Sequence, residues 1–269
     1  MKYTLVMGLE IHVELKTKLK MFCTCSADYF GKPRNTQTCP TCLGLPGSLP
    51  IINYEAIEMC KKIGRALNCT INEKLIFERK NYSYPDLPKG YQISQYRWPL
   101  STKGFINVGG IIRINRVHQE EDTAKLFHVN GLEIDNNRAG VPLVEIVTEA
   151  DFISSQQAID YGKLIQALVR DLKVSDANME KGQMRLEANV SLKGKNVDIY
   201  KIELKNINSF KFMGYAIEYE ILRQSGLLDQ GLQLTQETRG WDEKKKETYL
   251  LRVKENAHDY RYFIDPDLI

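Results

Sequence analysis

The chain has 269 residues, of which 43% are hydrophobic and 26% charged, and a formal net charge of +3. That length and apolar content can bury one large core or two modest ones, and no apolar stretch is long enough to span a bilayer. The opening MKYTLVMGLEIHVEL lacks the apolar core and small-residue cleavage site of a secretory signal, which places the chain in the cytoplasm. So small a net charge does not by itself demonstrate a long-range pull on nucleic acid, so any RNA contact has to come from local patches.

In chain order, Tyr3 to Leu15 alternates and is rich in β-branched residues, which predicts a strand. Four cysteines follow, as Cys23-Thr-Cys25 and Cys39-Pro-Thr-Cys42. Two close pairs joined by a loop suit a tetrahedral Zn²⁺ site that is structural, because four thiolates leave no position open for water. Free buried thiols, disulfides and a redox pair are the alternatives, and a reducing cytoplasm disfavours disulfides. Tyr54 to Leu67 has helical periodicity, with Cys60 in it and Cys69 just beyond as structural thiols. Residues 71–104 are rich in Tyr, Pro and Lys and lack clean periodicity, which predicts a long, partly ordered loop excursion. Strands are expected at Phe105 to Val117, Glu187 to Leu192 and Asp198 to Leu204, and helices at Ser154 to Leu172 and Phe210 to Gln224. Strands and helices grouped without a βαβ rhythm predict an α+β fold with a mainly antiparallel sheet. There are no internal repeats, low-complexity tracts or evident linkers.

Candidate chemistry is spread over three segments. Strand alternation places Glu10, His12 and Glu14 on one face and Leu9, Ile11 and Val13 on the other. An ordinary strand with a solvated face has the same pattern. Glu120, Glu121 and Asp122 are consecutive acids after a β-type run, and acid runs usually sit in water. Arg185, Glu187 and Asn189 share a third strand face. Together these groups could supply oxygen ligands to Mg²⁺ bridging phosphate oxygens, although no spacing rule forces them together.

Longer segments are more specific. GLEIHVEL (Gly8 to Leu15), CPTCLGLPGSLP (Cys39 to Pro50), NYSYPDLPKGYQISQY (Asn81 to Tyr96), NRAGVPLVEIVTE (Asn137 to Glu149), ELKNINSFKFM (Glu203 to Met213), QETRGWDE (Gln236 to Glu243) and AHDYRYF (Ala257 to Phe263) run in order along the chain. This set closely resembles the GatB family, the B subunits of tRNA-dependent amidotransferases. The resemblance implies a catalytic cradle domain over residues 1–269, with residues 20–50 a zinc-binding loop inside it. It implies a two-step reaction in which ATP and Mg²⁺ phosphorylate the side-chain carboxylate of Glu-tRNA(Gln) or Asp-tRNA(Asn), and ammonia from a partner amidase then displaces the phosphate. By the same resemblance Glu10, His12, Glu120 and Glu121 match the family's catalytic metal positions, and Glu187 stands where the family usually has Asp. Arg79, Lys80 and Lys89, with Arg185 beside Glu187, are the candidate contacts to ATP or substrate; solvated loop charges are the plain alternative.

No Ser-Lys amidase signature or Gly-x-Ser-x-Gly elbow occurs, so ammonia would come from an amidase A subunit, with a small C subunit completing the complex. Charged tRNA is the expected substrate, and no membrane contact is implied. The family usually continues past its Asp-Pro-Asp-Leu segment into a helical domain and a tRNA-holding tail that these 269 residues do not include. Within the match, Asp122-Thr123-Ala124-Lys125 replaces the customary Asp-Ala-Gly-Lys, Lys181 stands where an acid is common, and Leu186-Glu187 replaces Cys-Asp. Two alternatives follow: a tail-less relative that amidates a small-molecule, peptide or carrier-bound carboxylate, and a non-catalytic zinc-stabilised scaffold for an amidase or RNA. Clustered, mutually repelling acids argue against the scaffold.

Overall fold

A computed structural model describes residues 2–128, 131–194, 200–253 and 260–268. The start of the strand expected from Asp198, Ala257 to Asp259 of the AHDYRYF segment, and Ile269 lie outside the described residues. The elements run β1 (Thr4–Glu14), α1 (Pro40–Leu43), α2 (Tyr54–Ala66), β2 (Thr70–Ile71), β3 (Glu78–Asn81), β4 (Tyr91–Ser94), β5 (Ser101–Asn107), β6 (Ile111–Glu121), β7 (Lys125–His128), β8 (Leu132–Asp135) and β9 (Pro142–Thr148). They continue as α3 (Ser155–Asp171), β10 (Met184–Lys193), β11 (Ile202–Ile207), α4 (Phe210–Asp229), β12 (Glu237–Asp242), β13 (Glu247–Val253) and β14 (Phe263–Ile264).

The α+β expectation holds. Nine strands form one sheet in the order β13-β12-β11-β10-β1-β9-β6-β5-β2, antiparallel throughout except where β11 meets β12. Alternation along β1 sends Met7, Leu9, Ile11 and Val13 into a core with Val144 and Ile146 of β9 and Leu186 and Val190 of β10. Tyr161 and Ile165 of α3 and Met213 and Ile217 of α4 join the same core. Each long helix starts on a side-chain cap: Asn53 accepts from the Glu55 and Ala56 amides, Ser154 from Gln157, and Ser209 from Phe212. No helix among the described residues is long and apolar enough to cross a membrane.

Three expectations change. Phe105 to Val117 is not one strand, because the chain reverses at Gly109 and Gly110, whose φ values of 61° and 152° suit glycine, and so makes the β5–β6 hairpin. Residues 71–104 are not one loop: β3 and β4 pair there, and β14 adds to β3 from the far end of the chain. α4 runs on past Gln224 to Asp229, which accepts hydrogen bonds from Lys2 and Tyr3.

Helices α3 and α4 approach closely at two glycines. A Cβ on Gly162 would lie 2.7 Å from the Phe210 ring, and one on Gly214 would lie 2.5 Å from Ile159. Gly162→Val should therefore overpack this contact and lower stability by about 1–3 kcal/mol. Urea denaturation monitored by circular dichroism measures it, and an unchanged midpoint would show that the helices can move apart freely.

Candidate active site

The sheet face opposite the core carries the candidate side chains. Register sets Glu10 opposite Glu187, and His12 between Arg185 on β10 and Glu145 on β9. On β6, His118 also faces Glu145. Two groups result. In the first, His12 Nε2 lies 3.5 Å from Glu120 Oε1 and 3.7 Å from Glu145 Oε2, and His118 Nε2 lies 3.1 Å from Glu145 Oε2. The ligand atoms of His12, Glu120 and Glu145 all fall within 4.8 Å of one another. In the second, Glu10, Glu187 and Glu203 meet the same limit of 4.8 Å.

Electrostatics in the first group follow from burial opposed by close pairing. Burial pushes the Glu120 and Glu145 carboxyls up, but the histidines more than offset it and hold both below the ordinary glutamate value. Burial likewise disfavours charge on His118, while Glu145 and Glu120 draw its imidazole above its ordinary value. Ser94 donates to Glu120 at 3.1 Å. Lys80 completes the group. Burial opposes its charge, but Glu120 and Glu145 prevail and raise it above the usual lysine value. In the second group Lys205 lies 2.9 Å from Glu187, Asn189 donates to Glu10 at 2.9 Å, and Thr238 donates to Glu203 at 2.9 Å.

Of the residues singled out from sequence, His12 and Glu120 come together, and Glu10 meets Glu187. Glu121 does not join them. It turns from His12 to accept from Lys89 and, at 3.0 Å, from the Ile93 amide. Arg79 lies apart, bound to Asp265 at 2.9 Å and Asp267 at 2.8 Å. Arg185 is held by both oxygens of Asp122, at 3.1 and 2.8 Å, which leaves its charge already matched. Glu145, His118, Glu203 and Lys205 escaped the sequence reading. Glu145 had a signal, a lone acid inside the apolar run Val141 to Val147 of a buried strand.

The cysteines converge beside the Glu121 end of β6. The sulfurs of Cys23, Cys25, Cys39 and Cys42 all lie within 4.8 Å of one another, a set that could hold a metal ion. The Cys39 amide donates to Cys42 Sγ at 3.2 Å, and the Nζ of the fully buried Lys20 lies 3.7 Å from the same sulfur. The bond from Cys23 and, against burial, the Lys20 charge pull the Cys42 thiol down to about 4. Gly44 makes the approach possible, since a Cβ there would lie 2.6 Å from Lys89 Cγ.

Comparison with known proteins places this geometry in context. Residues 5–269 match the family model described as the GatB/GatE catalytic domain. The B subunit of an aspartyl/glutamyl-tRNA(Asn/Gln) amidotransferase from Persephonella marina is 50% identical over 277 residues, covering 100% of this chain and 58% of the relative. Proteins of the same name from Dehalococcoides mccartyi and Moorella thermoacetica are each 50% identical, covering 99% and 100% of this chain and 57% and 59% of the relatives. The chain thus spans somewhat over half the length of these relatives.

Next to the first group lies a buried carboxyl pair whose titration is testable. Burial and then the neighbouring Asp122 push Glu14 up to about 8, and Tyr29 donates to it at 2.9 Å. Folding therefore favours protonated Glu14: its contribution is complete below the ordinary value of 4.5 and is lost as pH rises through about 8. Asp122, disfavoured as an anion by burial but held low by Arg138 and Arg185, acts in the opposite sense at more acidic pH. Glu14→Gln should flatten the decline in stability across that neutral window in denaturation series. An unaltered slope would assign the decline to another group.

Proposed function

The chain belongs to the GatB/GatE catalytic-domain family, and from that membership we propose that it activates the side-chain carboxylate of Glu-tRNA(Gln) or Asp-tRNA(Asn) with ATP for amidation. The carboxylate oxygen attacks the γ-phosphorus, the bond to the bridging oxygen breaks, and ADP leaves. Ammonia from a partner amidase then attacks the acyl carbon, the carbon–oxygen bond breaks, and phosphate departs with loss of a proton from nitrogen. Phosphoryl transfer of this kind needs positioning and charge neutralisation more than covalent help.

The observation that carries this proposal is the pair of ligand groups on one sheet face, His12 with Glu120 and Glu145, and Glu10 with Glu187 and Glu203. They are anchored two residues apart on β1, roughly 7 Å along a strand. Carboxylates with one imidazole suit a hard divalent cation such as Mg²⁺, which when bound would neutralise phosphate charge and polarise the phosphoryl group. The chain's own residues then have distinct tasks. His118 and Ser94 orient Glu145 and Glu120, Lys205 and Asn189 orient Glu187 and Glu10, and Lys80 presents a cation to incoming phosphate. Four thiolates in the cysteine loop fit structural Zn²⁺, with Lys20 offsetting their excess negative charge.

As partners we propose an amidase A subunit and a small C subunit in the cytoplasm, with residues 1–269 acting as one cradle domain. The first test is ADP release by the chain paired with a cognate amidase. Charged tRNA should stimulate it, and Glu120→Gln should lower it by roughly 10²-fold or more. ADP release indifferent to tRNA would point to a smaller carboxylate substrate. None under any condition would leave a scaffold.

Cys39→Ser should reduce zinc content and thermal stability together, read by elemental analysis and calorimetry. Full stability without metal would remove zinc from the account.

A further inference from the structure

We infer that Arg116 is a phosphoryl-binding residue of the acidic site, held together with Lys80 by a chain of tyrosine rings. The strand itself aims it there. Ile112 and Ile114 of β6 point into the core at 0% and 1% exposure, so regular alternation would send Arg116 the same way. A register shift against β9 between Ile114 and Arg116 breaks that parity. It places Arg116 in step with His118 and Glu120 on the acid face, the kind of re-aiming a bulge performs next to functional sites.

Unlike its neighbours, Arg116 has no carboxylate within ion-pair distance among the described residues. Arg97 and Arg185 each hold one, and Arg79 holds two. Among the described residues the buried Arg116 Nε has no hydrogen-bond partner, and its guanidinium makes only a long contact, 3.4 Å, to Asn115. A half-buried guanidinium with an unmet donor is costly unless a ligand completes it. What holds it is aromatic. Arg116 lies over Tyr96 at 5.6 Å, Tyr96 stacks on Tyr262 at 4.7 Å and 13°, Tyr262 meets Tyr260 edge-on at 6.0 Å, and Lys80 lies over Tyr260 at 4.9 Å. Ring faces orient cations without neutralising them, so the Arg116 charge is kept for a ligand.

Tyr262 ties this chain to the site, since burial and then the charges of Glu120 and Glu145 push its phenol up. The ligand must therefore be anionic, sit near the carboxylates and accept a planar fork of donors. A phosphoryl group neutralised by metal on its other side has that chemistry, and Arg binds it bidentately where Lys acts as a point charge. The identity of the anion rests on the proposed phosphoryl transfer. The existence of an anion site does not.

The test is calorimetric titration of the chain with inorganic tripolyphosphate and with ATP, each with and without Mn²⁺, alongside Mn²⁺ binding followed by electron paramagnetic resonance. Arg116→Met should weaken tripolyphosphate binding about tenfold or more, Arg116→Lys should recover part of that loss, and Mn²⁺ affinity should be unchanged or tighter. A parallel loss for ATP places the contact on its phosphates, and a loss for tripolyphosphate alone places it on a free phosphate. If no Mn²⁺ binds yet tripolyphosphate still depends on Arg116, metal-assisted transfer fails and the anion site stands. Tripolyphosphate binding within twofold of wild type in Arg116→Met, or none in wild type, overturns the inference.

Discussion

Five carboxylates on one sheet face repel one another, and the polar half of this structure is arranged to offset that repulsion. Glu120, Glu145, Glu187 and Glu203 are buried, and Glu10 is partly so. An unpaired buried carboxylate would take up a proton to avoid the desolvation penalty. Here His12 and His118 stand between Glu120 and Glu145, and Lys205 lies against Glu187. Hydrogen bonds from Ser94, Asn189 and Thr238 each fix one oxygen, on Glu120, Glu10 and Glu203 respectively. The pairing holds Glu120 and Glu145 below the ordinary glutamate value despite their burial, while the Nδ1 atoms of His12 and His118 find no hydrogen-bond partner among the described residues.

Apolar packing on the opposite face makes that arrangement unique. Leu9, Ile11 and Val13 alternate with Glu10, His12 and Glu14, so a one-residue slip of β1 would expose the core residues and bury these polar side chains among helices. Capped helices α3 and α4, brought together at Gly162 and Gly214, hold β1 and β10 in register from below. Stability and site geometry thus depend on the same strands. Strain at the Gly162 contact would be transmitted to Glu10 and Glu187 through Leu186, whose side chain borders that glycine.

What could be read from sequence was local, and what escaped was long-range. Alternation in β1 was plain, and it put Glu10 and His12 on the correct face. Adjacent acids part company, because consecutive strand residues point apart: Glu120 meets His12, whereas Glu121 goes to Lys89. Strands β3 and β4 were hidden because they are short and β3 also pairs with Phe263 and Ile264, far along the chain. The Gly109-Gly110 turn was visible in principle, but a β-rich run on either side masked it. No local pattern reveals the register shift before Arg116, since it exists only relative to β9.

The cysteine loop bears on the site through β6 and not through the sheet as a whole. Met21 donates to the Gly140 carbonyl at 2.7 Å, and the Gly140 amide donates to the Asp122 carbonyl at 2.9 Å. A Cβ on Gly140 would meet Lys20 Cδ at 3.4 Å and Cys42 Cβ at 3.5 Å, with Glu121 Oε2 at 3.8 Å, so the cysteine loop and the acid strand touch at this backbone position. From Asp122 the linkage continues to Arg185, and from Arg185 along β10 to Glu187. A metal held by the four thiolates would therefore fix the end of the strand that carries Glu120, and its loss would disturb the acid face before it disturbed the helices.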